Sequence, residues 1–190
     1  MIVNSASVGE PMCFRRLEDL VSALRALPPA PTDLGRVTLL VRRQDGGRRE
    51  TLDRIRLTPD EGVPGDAWGR REDRCADGQI AVMQADVATL IANGQPLTLF
   101  GDNLFLQLDL SAENLPQGSR VRVGRALLEV TPKAHNGCRK FRARFGDDAL
   151  AFVSRSDLRH RNLRGIYLRV LEQGEVSPGD AVEVLRRCAS

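Results

Sequence analysis

The chain has 190 residues and a mass of 20.9 kDa, room for one domain with a full apolar core but not for a second large one. A net charge of +3 with a pI near 8.9 is only mildly basic, and aromatic residues at 4% offer few stacking platforms, so a nucleic-acid binder is disfavoured and a small anion or an acidic partner is the better fit. No apolar run approaches the ~20 residues of a membrane span, and Met1–Glu10 lacks the basic start and apolar stretch of a secretory signal, so the expectation is a cytoplasmic protein with no membrane partner.

In chain order, Leu17, Leu20, Val21, Leu24 and Leu27 recur at the three-and-four spacing of one helical face, which predicts a helix over 14–27. Pro28-Pro29-Ala30-Pro31 ends it, because proline locks φ and cannot donate to the helical ladder. Residues 1–35 therefore read as a helical appendage with a stiff linker, and residues 36–187 as the main domain.

From Arg36 the chain changes to short runs of Val, Ile, Leu and Thr punctuated by Gly and Pro. Residues 37–41 and 51–57 flank Asp45-Gly46-Gly47 and read as a β-hairpin. Further strands are expected at 79–83, 97–108, 120–123, 126–131, 165–171 and 181–185. The turns Leu115-Pro116-Gln117-Gly118 and Ser177-Pro178-Gly179-Asp180 each lead into an alternating strand with valines on one face. Many short strands with tight turns favour a barrel, whose closure removes exposed edges. Short helices are expected at 86–93, from about Cys138 to Gly146, and at 147–153.

Cys13, Cys75, Cys138 and Cys188 are scattered, without the C-x-x-C spacing of a structural zinc site, and read as reduced thiols. Cys138 stands apart from the others. The chain has only two lysines, Lys133 and Lys140, and they bracket it in Thr131-Pro132-Lys133-Ala134-His135-Asn136-Gly137-Cys138-Arg139-Lys140-Phe141. Neighbouring cations and helix N-termini favour the thiolate, the reactive form of cysteine, and Asn136 as a helix cap would place Cys138 in a first turn. The ordinary alternative is a small buried hydrophobe.

Gly62-Val63-Pro64-Gly65-Asp66, Gly101-Asp102-Asn103-Leu104, the strand 126–131 leading to Cys138, and the closing run Arg169 to Asp180 occur in an order that resembles the MOSC family, named after the C-terminal domain of molybdenum cofactor sulfurase. The likeness covers roughly residues 36–187. It departs from the common pattern in two places: Gly-Glu-Asn-Leu becomes Gly101-Asp102-Asn103-Leu104, and Arg-x-Pro-Cys becomes His135-Asn136-Gly137-Cys138, as in a small stand-alone branch. The resemblance implies a mainly β protein: a MOSC-type barrel, similar to the β-barrel domain of pyruvate kinase, with a few short helices. It also implies a cysteine, here Cys138, that carries a persulfide or ligates the molybdenum of a bound pterin cofactor, with a non-catalytic molybdopterin or anion carrier as the alternative.

The expected site follows from that cofactor's phosphate, dithiolene and pterin. Arginine binds phosphate through a bidentate fork and lysine acts as a point charge, so Lys133, Arg139, Lys140 and Arg142 are the expected cofactor contacts. A second basic run, Arg155, Arg159, His160, Arg161 and Arg164, is better explained as a solvated face. His135 is an expected ion-pair partner or proton relay for the thiolate, a structural histidine being the competing role. Asp66 and Asn103 match loops expected to line the same cleft, or are ordinary turn residues. Trp68 is expected in the core or a lid. No pyridoxal-phosphate domain fits in the chain, so a sulfur-carrying Cys138 implies a separate cysteine desulfurase as donor, with a molybdoenzyme as possible acceptor.

Overall fold

A computed structural model describes residues 2–3 and 8–188. In chain order the strands are Ile2–Val3 (β1), Leu34–Arg43 (β2), Arg49–Thr51 (β3), Ile55–Leu57 (β4), Ile80–Gln84 (β5), Leu104–Gln107 (β6), Arg120–Val123 (β7), Ala126–Val130 (β8), Ile166–Glu172 (β9), Gly174–Val176 (β10) and Ala181–Arg186 (β11). The α-helices are Leu17–Ala26 (α1), Ala85–Ala92 (α2), Arg139–Phe145 (α3) and Asp147–Val153 (α4).

Seven strands run in the order β2-β11-β7-β8-β9-β5-β6, and β6 pairs back onto β2, so the sheet closes into a barrel. Within it β5 and β6 are parallel, which requires a crossover, and α2 supplies it. Register shifts at Val37/Leu39, Leu127/Leu128 and Val184/Arg186 add the local twist that closure needs. Strands β3 and β1 extend from the end of β2 as a flap, and β4 with β10 forms a separate ribbon.

Strand alternation divides the core in two. Ile80, Val82, Leu104, Leu106, Val121, Leu128 and Leu168 point into the barrel. Met83 and Phe105, one residue out of phase with them, point outward and pack with Phe100, Phe141, Phe145 and Phe152 beneath the helices. Burial on both faces explains why β5 is apolar from Ile80 to Met83 instead of alternating. Helix α1 belongs to the outer cluster: Leu20 is fully buried, Leu17, Val21 and Leu24 pack beside it, and the Leu17 N–H donates to Asp148 Oδ2 of α4 at 3.2 Å.

Four expected elements differ in detail. The run 97–108 is broken: Leu97–Phe100 is a 3-10 turn and Gly101, at φ +77°, redirects the chain before β6. The stretch 51–57 splits between β3 and β4, which join different sheets. Helix α1 starts at Leu17, after a 3-10 turn at Pro11–Cys13. Helix α3 starts at Arg139, so Asn136 lies outside it and Cys138 is itself the N-cap residue, extended at φ −136°, ψ 174°, with its carbonyl accepting from the Arg142 N–H at 2.9 Å.

Candidate functional site

One rim of the barrel gathers residues distant in sequence. Arg43 ends β2 and Arg49 begins β3. Phe100 and Gly101 precede β6, Arg164 precedes β9, and Tyr167 lies on β9. His135 and Cys138 come from the connection after β8, and Lys140 and Arg144 from α3. Together with Arg48, Arg71 and several backbone segments they enclose an open cleft of about 500 Å³. Among the described residues the lining holds seven cationic side chains, of Arg43, Arg48, Arg49, Arg71, Lys140, Arg144 and Arg164, and no carboxylate. Cys138 is exposed at this cleft, which rules out the buried-hydrophobe alternative for it.

The acids of the two Gly-Asp phrases sit behind the wall. Asp66 is almost fully buried and accepts from the Arg43 N–H at 2.7 Å, the Arg43 guanidinium at 2.6–3.1 Å and the Trp68 N–H at 2.9 Å. Burial would raise this carboxyl, but the Arg43 guanidinium and the two N–H donors outweigh it and hold Asp66 below the ordinary carboxylate range. Asn103 ties three segments together: its Oδ1 accepts from the Ala81 N–H at 3.1 Å, and its Nδ2 donates to Val41 O and Asp66 Oδ2, each at 3.2 Å. These two residues anchor the rim and aim Arg43; neither lines the cleft.

Asp102, with no solvent exposure, accepts from Arg164 Nη1 at 2.8 Å through Oδ2 and faces His135 Nδ1 at 3.5 Å through Oδ1. The His135 side chain is only 6% exposed and its ring packs on Tyr167, with centroids 4.3 Å apart. Gly165 makes this packing possible, because a Cβ there would meet Val82 O and come within 3.4 Å of His135 Nδ1. Burial first, and then Arg164, push the His135 pKa down to about 3, so the ring is neutral at neutral pH and does not serve as a cationic partner for the thiolate. Tyr167 shifts upward through burial and then the Asp102 charge, which keeps its phenol protonated and able to donate.

Of the other expected contacts, Lys140 lines the cleft. Lys133 lies outside the lining, its ammonium 5.6 Å from the Tyr167 ring centre. Arg139 is exposed and outside the lining, and Arg142, also outside it, pairs with Asp147. Trp68 is buried, with its indole N–H donating to Cys75 O at 3.3 Å. From the second basic run Arg164 alone enters this cleft; Arg155 and Arg159 line an adjoining hollow. Arg43, Arg49 and Arg144 were not singled out by sequence reasoning. Each sits in a stretch where arginine is common; burial, at 6% and 8% exposure, marks Arg49 and Arg144, and the pairing with Asp66 marks Arg43.

A closed seven-stranded barrel with a thiol at the edge of a cationic cleft defines the class. Residues 79–183 match the MOSC domain, and the chain belongs to that family, which is associated with the molybdenum cofactor. Among solved structures it is similar to the YuaD protein of Bacillus subtilis, at 17% identity and a TM-score of 0.56 over 80% of this chain and 95% of that one. It is also similar to YiiM from Escherichia coli, at 22% identity and a TM-score of 0.55 over 82% of this chain and 72% of that one. YiiM from Geobacillus stearothermophilus aligns at 17% identity and a TM-score of 0.51, covering 84% and 76% of the two chains. No curated protein is similar enough in sequence to count as a match. Among the described residues no helix is long and apolar enough to cross a membrane.

Proposed function

We propose that the cleft binds the phosphate-bearing molybdenum cofactor and that Cys138 presents its sulfur there, as a carrier that receives a persulfide and passes the sulfur on. The observation that supports this most is the exposed thiol opening onto a cleft whose lining, among the described residues, has seven cationic side chains and no carboxylate.

The residues fit such a group. Arg144 and Arg164 each bury an Nε without a hydrogen-bond partner beside the cleft, and Tyr167 and Asn136 add polar groups suited to a pterin edge. Among the described residues no cluster of three His, Cys, Asp or Glu side chains is placed to hold a metal ion, so molybdenum would enter within the cofactor, and Cys138 would offer one thiolate ligand. The bound cofactor would supply the metal centre at which sulfur is placed.

Loading is an exchange without net oxidation. The Cys138 thiolate attacks the terminal sulfur of a desulfurase persulfide; the donor S–S bond breaks as the new bond to Cys138 Sγ forms, and the donor leaves as a thiolate. Exposure of Cys138 suits this encounter with a second protein, and Arg139, Lys140 and Lys133 around it suit an acidic donor surface. Neutral His135 takes the role of positioning the segment through Tyr167 and Asp102.

Incubation with a cysteine desulfurase and sulfur-labelled cysteine, followed by mass spectrometry of the intact chain, tests the reading. Label is expected on wild type and absent from Cys138→Ala. Cofactor bound equally by both proteins, with no label on Cys138, would instead support a non-catalytic carrier.

A further inference from the structure

Four arginines close around the turn Phe100-Gly101-Asp102. Arg164 donates to Phe100 O at 3.5 Å and to Asp102 Oδ2 at 2.8 Å, and Arg43 donates to Gly101 O at 3.4 Å. Arg49 and Arg144 approach the remaining side of Gly101: a Cβ there would lie 3.4 Å from Arg49 Nε and Nη2 and 3.6 Å from Arg144 Nη1. The site has glycine, at φ +77°, where any side chain would fill the space between these two guanidiniums.

Two buried carboxylates, Asp66 and Asp102, back this corner. Asp66 serves Arg43 and Asp102 serves Arg164, but among the described residues no carboxylate lies within ion-pair distance of Arg144, although its side chain is buried and its Nε has no hydrogen-bond partner. Burial first, and then Arg144 and Arg43, lower the Arg49 pKa to about 10, and burial lowers Arg144 as well. Taking a cation such as Arg144 out of water without a counter-charge is costly, and an arginine fork meets that cost best with an anion that has several outward oxygens.

We infer that the corner formed by Arg49, Arg144, Arg164 and Gly101 is a receptor for a tetrahedral dianion, a phosphate monoester or free inorganic phosphate, and that its occupation stabilises the fold. A carboxylate brings one charge and two oxygens in a plane. A phosphate brings about two charges and three terminal oxygens, enough for guanidiniums arriving from β3, α3 and the segment before β9. The inference deepens the proposed function by assigning the cofactor's anchoring end, and it rests on that reading only for the identity of the phosphate's bearer.

Thermal unfolding of the full chain in sodium phosphate and in sodium chloride at matched ionic strength provides the test. Wild type is expected to show a saturable rise in Tm with phosphate that chloride does not give. Arg144→Gln and Arg49→Gln should each weaken phosphate binding about tenfold or more. Arg144→Gln should also raise Tm in chloride by removing an unpaired buried charge, and Arg56→Gln, exposed on β4, should match wild type throughout. No phosphate-specific shift in wild type, or full shifts in both cleft variants, would overturn the inference. Added molybdenum cofactor that competes with phosphate identifies the cofactor as the bearer. Cofactor that leaves the phosphate effect unchanged assigns the corner to free phosphate and counts against the proposed function while sustaining the receptor.

Discussion

The barrel interior and the cleft on its rim are built from opposite materials. Inside, Val82, Leu104, Leu106, Val121 and Leu128 fill the space with apolar groups that leave no polar atom to satisfy. At the rim, Asp66, Asp102, Arg49, Arg144 and Arg164 are almost as deeply buried, and Asp102, His135, Arg144 and Arg164 each keep an atom without a hydrogen-bond partner. The interior is a stability device and the rim is a binding device that the interior makes tolerable: a fold with a complete core withstands a cluster of buried cations.

That contrast predicts different responses to substitution. Removing Asp102, the one carboxylate paired with Arg164 among the described residues, should have the largest effect. Asp102→Asn is expected to destabilise by about 3–5 kcal/mol in urea unfolding, because it leaves a buried charge uncompensated, and adding Arg164→Gln should recover part of the loss. Leu128→Ala in the barrel should cost about 2–5 kcal/mol through lost burial and a cavity, yet leave phosphate affinity of the folded protein unchanged. If Leu128→Ala also weakened phosphate binding, the separation between core and rim would be wrong.

The next effect is in pH dependence. An unfolded histidine takes up a proton near 6.5, whereas folded His135 resists until about 3, so between these values the unfolded chain holds the extra proton. The contribution is therefore fully present above pH 6.5 and lost as pH falls toward 3. His135→Gln is expected to flatten the stability curve across that window. Asp66, held below its ordinary range, adds a further loss at the acid end. The smallest effect is expected at Arg142, whose partner Asp147 is exposed: Arg142→Gln should change stability by no more than about 0.5 kcal/mol and leave phosphate binding intact.

Sequence made much of the barrel legible through its tight turns and the alternation of strands such as β7 and β9. Arg120–Val123, Ala126–Val130, Ile166–Glu172 and Ala181–Arg186 lie within a residue or two of their expected places. The run 97–108 misled because an apolar 3-10 turn and an apolar strand have the same composition, and only the backbone at Gly101 separates them. In the site, Cys138, His135 and Lys140 were visible through their unusual neighbourhood. Arg43, Arg49 and Arg144 were hidden in a chain where arginine is common, and their convergence depends on β2, β3 and α3 meeting at one rim, which no local pattern records. Asp66 and Asn103 were noticed for their loops, but their hydrogen bonds turn inward.

Titration of purified molybdenum cofactor into wild type and Arg144→Gln, followed by pterin fluorescence, tests the central claim most directly. Saturable one-to-one binding to wild type that weakens about tenfold or more in the variant is the predicted result. Equal affinity for both proteins, or no binding to wild type, would contradict it.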